Sequence, residues 1–348
     1  MSEGNYVLTG CMGSGCHEYC ILKTLVKDNG IDRVERMVLE GTPEEDRYSI
    51  CQKGFASALV ASGGTIGPII PPSILAIIYA SGTGLSVGAL FMAGVIPGFL
   101  MGFALIIICI MHVRKHPEIN DAGGKKTFKE ALKITFSALP AFFMPIIIIG
   151  GILGGVFTAT ESAAVACVYA IGYGFISRSM TKKTCWRVLG ESAVSVAKLM
   201  LIVACATLFG WILSVKQFPL GVTTVMKSVT DNPAIMLTLV IILLLIVGCF
   251  METIAILNIL VPVLYPLGLA YGFNSIHFAM VVIMTTLFGA ITPPVGILLY
   301  ISSGIAKIKF SETVRYIGPF LISLFVVVLL VAIFPALTTA LPTMLGYK

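Results

Sequence analysis

From residue 54 onward, apolar positions run in long stretches separated by short polar loops, with neither the two-residue alternation of half-buried strands nor the one-sided stripe of a soluble helix. A bilayer core asks for about 20 apolar residues per helical span. By that measure the pattern predicts a broken span over residues 54–80 and a continuous one over 87–112. Further spans follow at 134–155, 157–176 and 192–215. Residues 216–233 read as a partly polar linker. Residues 234–267 are too long for one span and are broken by GCFMET at 248–253. Residues 275–306 form a second broken span, and 316–341 the last. The front differs. Residues 1–53 hold 15 of the 40 charged residues and no run long enough to span, so the chain divides into a polar segment, 1–52, and a membrane region, 53–348. The predicted fold is an all-α polytopic membrane protein.

Two of the breaks share a motif. GPIIPP at 67–72 and GAITPP at 289–294 both read Gly-x-Ile-x-Pro-Pro, 222 residues apart, and both interrupt an apolar span. Broken helices at corresponding places in two halves mark the binding sites of secondary transporters. The chemistry follows from the backbone. Proline has no N–H and its ring clashes with the carbonyl four residues earlier, so the helix stops. Glycine accepts the dihedrals of a gap and lets a ligand approach. Freed carbonyls can ligate a cation, and the N-terminus of the next half-helix attracts an anion. On the first break the candidates are Ser62, Gly63, Thr65, Gly67, Pro71, Pro72 and Ser73. On the second they are Gly289, Thr292, Pro293, Pro294 and Gly296. The hydroxyls of Ser62, Thr65, Ser73 and Thr292 suit a hard cation such as sodium. Plain proline kinks between packed helices are the competing reading.

Moving the GCFMET hairpin (248–264) back by 222 residues lands on VKDNGIDRVERMVLEGT, residues 26–42. That stretch is charged throughout and cannot be a membrane hairpin, so the first repeat lacks the counterpart of half its site.

Composition agrees with the pattern. The 348 residues are 57% hydrophobic and 11% charged, with mean hydropathy +0.99, which excludes an ordinary soluble domain. The net charge of +6 reads as topology, not nucleic-acid affinity. Six Lys/Arg lie in 114–133, four in 178–187, and Lys307, Lys309 and Arg315 make a third basic loop. With these three inside, the spans alternate, provided 234–267 enters and returns on the outer side, as a re-entrant hairpin or as two tightly joined spans. The C-terminus then falls outside. No signal peptide is visible, and the nine cysteines read as apolar filler.

Acids inside spans are functional candidates by default. Glu252, at the hairpin tip near Thr253 and Asn258, supports a cation or substrate site or else caps the second arm. Glu161, in FTATESAA, reads as a helix cap at the outer interface. His277 reads as structural or interfacial. Trp186 and Trp211 fit interfacial anchoring or helix packing. Cys11, Cys16, His17 and Cys20 match no standard zinc spacing. No phosphate loop, nucleophile elbow or HExxH pair is present, so neither ATP hydrolysis nor another enzymatic activity is expected.

KGFASALVASGGTIGPIIPPSILAIIYA, FMAGVIPGFLMGF, GGILGGVFTATESAAVACVYA, GCFMETIAILNILVPVLYPLG and FGAITPPVGILLYISSGIA together resemble the large membrane subunit of the tripartite ATP-independent periplasmic (TRAP) transporters, from residue 53 to the C-terminus. The resemblance implies an elevator-type fold with inverted repeats, two interrupted helices and re-entrant hairpins. It implies sodium-coupled import of organic acids of the C4-dicarboxylate or sialic acid class, with no cofactor beyond sodium. The implied partners are a small four-helix membrane subunit, a periplasmic solute-binding protein, a small carboxylate substrate and membrane lipid, with no nucleic acid. The implied location is the bacterial inner membrane.

The chain departs from the family at the front. Scaffold helices and a Gly/Ser-rich first hairpin precede the first break in the family, whereas 52 polar residues stand here. GCMGSGC at 10–16 is faintly similar to such a hairpin tip. Ala159 stands where the family has proline. These departures suggest an N-terminally shortened or shifted reading frame. The alternatives to a transporting subunit are therefore a non-transporting remnant and a stand-alone anion symporter.

Overall fold

The computed structural model describes residues 5–10, 21–27, 30–36, 53–115, 128–178 and 180–347. The first three stretches are strands β1 (Asn5–Gly10), β2 (Ile21–Lys27) and β3 (Gly30–Arg36). They pair antiparallel in that order, with Asn5 opposite Val26 and Lys27 opposite Gly30. The charged repeat counterpart thus lies partly in β2 and β3. Residues 28, 29 and 37–42 lie outside the described residues, as do Cys11, Cys16, His17 and Cys20, the core of GCMGSGC, and most of the basic loop 114–133.

From residue 53 the described chain is helical. The first broken span is α1 (Lys53–Gly63) and α2 (Ile74–Thr83). Next come α3 (Val87–Lys115), α4 (Phe128–Leu153), α5 (Ala159–Ile176), α6 (Lys182–Val215) and α7 (Phe218–Val229). The hairpin is α8 (Pro233–Gly248) and α9 (Thr253–Ala270). The second broken span is α10 (Ser275–Gly289) and α11 (Ile297–Ala306), followed by α12 (Phe310–Ile333) and α13 (Ala336–Met344). Among the described residues, five helices (α3, α5, α6, α9 and α12) are long and apolar enough to cross a membrane.

Three expectations need correction. The linker 216–233 is largely the amphipathic helix α7, which starts with proline at an early position where its missing N–H costs nothing. The span expected at 316–341 is split, because Pro335 ends α12 and α13 restarts beyond it. Helix α6 begins ten residues before the expected 192. Lys182, Lys183 and Arg187 are thus helical, and Arg187 pairs with Glu191 one turn on at 3.9 Å. At 34 residues α6 is about 51 Å long, more than a bilayer core. Lys198 also falls inside the expected span, where hydropathy masked it, and stands exposed.

The core sits around α10, whose residues from Ile276 to Gly289 are all buried. Tyr79, Phe91, Phe278 and Phe320 pack there from α2, α3, α10 and α12. Helix α6 is the opposite case: of its 34 residues Ala206 and Gly210 are buried, and its apolar side chains face outward. Such an apolar exterior is what lipid solvates. Trp186 and Trp211 are 77% and 64% exposed, so neither packs inside the described chain. His277 is structural: buried, its Nδ1 lies 3.0 Å from the Thr338 hydroxyl and ties α10 to α13.

Candidate functional site

Each break is a built turn. In residues 64–73 the amides of Thr65 and Ile66 bond back to the carbonyls of Ser62 and Gly63 at 3.2 and 3.0 Å. Ser73 then caps α2, its hydroxyl oxygen accepting the Ala76 N–H at 3.1 Å. In residues 290–296 the Thr292 amide bonds the Gly289 carbonyl at 2.9 Å, and Leu298 N–H reaches back to the Ala290 carbonyl at 3.1 Å. Gly296 opens α11 at φ +54°, a left-handed conformation that favours glycine. The peptide between the paired prolines is cis in both breaks.

The hairpin tip presses on the second break. A Cβ on Gly289 would lie 2.6 Å from the Gly248 Cα, and one on Gly248 would lie 2.9 Å from the Gly289 Cα. Two backbones touch there because neither position carries a side chain. One residue on, the Cys249 thiol lies 3.8 Å from the Pro293 carbonyl. Gly248 and Cys249, at the start of the hairpin turn, thus meet Gly289 and Pro293 of the second break, whereas the side-chain bond shown for Glu252 is to its own helix.

The first break is held from another side. Helix α3 carries Gly94 and Gly98, one turn apart. A Cβ at Gly94 would collide with the Ile69 carbonyl, and one at Gly98 with the Ile70 side chain. Gly67, the repeat counterpart of Gly289, meets nothing within 4 Å of where its Cβ would be. The paired breaks are thus equivalent in sequence and unequal in surroundings.

Of the interrupted helices, α1 packs beside α11, while α2 packs chiefly beside α9. Between α1 and α11 lies a buried hydroxyl cluster. Ser57 and Ser302 approach at 2.9 Å, Ser302 donates to the Ser57 carbonyl at 2.7 Å, and Thr313 of α12 donates to the Ser57 hydroxyl at 3.0 Å. Neither the cluster nor the Gly94/Gly98 seat was singled out from the sequence. The GxxxG spacing in FMAGVIPGFLMGF was the available signal for the seat.

The predicted oxygen ligands each keep a local bond. Ser62 donates to the Ala58 carbonyl at 2.8 Å, Thr65 to Ser62 at 2.7 Å and Thr292 to Phe288 at 2.9 Å. Ser73 donates to the Pro68 carbonyl, taking up an acceptor that the prolines freed. A hydroxyl that donates its proton keeps lone pairs, of which Ser73 gives one to the Ala76 N–H; Ser62, Thr65 and Ser73 are buried and Thr292 is half-buried. Asn258 donates to the Ile254 carbonyl at 2.9 Å, and Thr253 is buried. Glu252 is exposed and caps α9, accepting the Ala255 N–H at 3.0 Å. Glu161 and Thr158 form a full capping box at the start of α5, as expected. Gly64, Gly67, Pro72 and Pro294 are exposed, so both breaks open to the surface.

The sequence matches known proteins through both breaks. Residues 46–337 match the family model described as the tripartite ATP-independent periplasmic transporter, DctM component. The sialic acid TRAP transporter large permease of Vibrio cholerae is 39% identical over 297 residues, covering 84% of this chain and 69% of the relative. The C4-dicarboxylate TRAP large permease of Pseudomonas aeruginosa is 37% identical over the same shares. The 2,3-diketo-L-gulonate TRAP large permease of Escherichia coli is 37% identical over 81% of this chain and 66% of its own length. With its paired broken helices and a match that runs through both of them, the chain belongs to the DctM-component family of tripartite ATP-independent periplasmic transporters, the large membrane permeases.

Proposed function

We propose that this protein is the large transmembrane subunit of a sodium-coupled secondary transporter that imports organic acids across the bacterial inner membrane. A periplasmic binding protein delivers the solute, and a small membrane subunit completes the complex. The observation that carries the reading is the backbone contact of Gly248 with Gly289, which sets a hairpin tip against a helix break. That junction lies beside hydroxyl and carbonyl oxygens suited to sodium, and beside half-helix N-termini suited to a carboxylate. Sodium bound by Thr292 and the break carbonyls offsets the substrate charge, so ion and acid load together. Relatives named for sialic acid, C4-dicarboxylates and 2,3-diketo-L-gulonate support the carboxylate class.

The test is reconstituted uptake. The chain is co-reconstituted with a TRAP periplasmic binding protein and small membrane subunit from the same genome, and labelled succinate or sialic acid is followed with and without an inward sodium gradient. The reading expects uptake that needs both the gradient and the binding protein. Uptake without the binding protein would point to a stand-alone symporter, and no uptake of either acid would overturn the proposal.

A further inference from the structure

At the end of α6 the chain turns sharply. Gln217 takes φ +52°, a left-handed conformation uncommon for a residue with a side chain, and α7 folds away from α6. The turn opens a groove of about 560 Å³. Phe218, Gly221, Val222, Val225, Met226 and Val229 line it from α7, and Leu239 closes it from α8. The six α7 positions recur at helical spacing and make one apolar face. That face is left uncovered: Phe218, Val225 and Val229 are 50%, 64% and 67% exposed. Lys216 and Gln217 stand at one end, and no carboxylate lines the groove. Lys227, the other cation of the segment, lies on the opposite side of α7, half a helical revolution from Phe218.

We infer that this groove binds an anionic glycerophospholipid, its acyl chain along α7 and its phosphodiester at the Lys216 ammonium. The chain length and apolar face fit a hydrocarbon tail, and a single cation at the end of a carboxylate-free cleft complements a single phosphate. Helix α7 packs on α9, and Leu239 of α8, the first arm of the hairpin, borders the groove, so a bound lipid rests against the hairpin. The inference needs only that the chain spans a membrane and is independent of the transported solute.

The test uses the purified chain in detergent with an equimolar mixture of phosphatidylglycerol and phosphatidylcholine of identical acyl chains, read by native mass spectrometry. A lysine at a membrane surface favours anionic lipid by about fivefold. Wild type is expected to retain phosphatidylglycerol over phosphatidylcholine by about that factor. Lys216→Gln should equalise the two, and Lys216→Arg should keep the preference. Val225→Trp fills the groove from an exposed position that the fold does not depend on, and should lose both lipids. Inorganic phosphate, which lacks the chain, should displace neither. An unchanged preference in Lys216→Gln, wild-type lipid retention in Val225→Trp, or displacement by inorganic phosphate would each overturn the inference.

Discussion

Gly289→Ala tests the hairpin junction through its steric consequence. The added methyl would stand 2.6 Å from the Gly248 Cα and 2.8 Å from its carbonyl carbon. Carbon atoms rest at about 3.5–4.0 Å, so the two backbones must part by about 1 Å. Neither can yield by a rotamer change, since both obstacles are main chain. Overpacking of this kind costs about 1–3 kcal/mol. If that energy falls on the loaded state, sodium affinity drops by about 5- to 150-fold. Gly67→Ala is the matched control: it is the same substitution at the repeat-equivalent position, with nothing within 4 Å of the new methyl. Thermal unfolding in detergent and sodium-dependent uptake should be measured for both. Gly289→Ala should lower the unfolding midpoint by several degrees and cut uptake at limiting sodium, while Gly67→Ala leaves the midpoint in place. Equal effects of the two substitutions, or a silent Gly289→Ala, would refute the reasoning.

Three further outcomes follow from the same packing. Gly94→Ala drives a methyl into the Ile69 carbonyl and should lower both stability and uptake, whereas Gly102→Ala on the same helix meets open space and should change neither. Ser57→Ala leaves the Thr313 hydroxyl without its acceptor and removes a partner of Ser302. A cost of about 1–3 kcal/mol is expected in denaturant unfolding, and no change there would show the cluster to be dispensable. Glu252→Gln keeps an oxygen for the Ala255 N–H and should leave the unfolding midpoint in place, while Glu252→Ala loses the cap and about 1 kcal/mol; equal midpoints for the two would contradict the capping role.

What could be read in the sequence was whatever the solvent dictates. Hydropathy located the helices, because lipid demands long apolar runs. Proline and glycine located the breaks, because the backbone cannot continue through Pro71–Pro72 or Pro293–Pro294. Hydropathy says nothing of a helix lying along a surface, and so α7 was read as a linker. A window average also absorbs a single charge, as it does at Lys198. The tertiary contacts were least legible. Gly289 and Gly67 are the same letter in the same motif, yet one touches Gly248 and the other meets open space. Only the arrangement of neighbouring helices separates them. Glu252 shows the reverse case, since an acid before Thr253 fits a site or a cap equally well in sequence, and the Ala255 amide shows it acting as a cap.

The central claim is that the second break, packed against the hairpin at Gly248, holds sodium. Equilibrium binding of radioactive sodium to the purified protein tests it most directly, with Thr292→Val as the comparison. The hydroxyl of Thr292 sits within the break and bonds the Phe288 carbonyl, and valine keeps its shape while removing the oxygen. The account predicts saturable binding to the wild type, weakened at least tenfold in Thr292→Val at an unchanged unfolding midpoint. Absent saturable binding, or equal affinity in the two proteins, would contradict it.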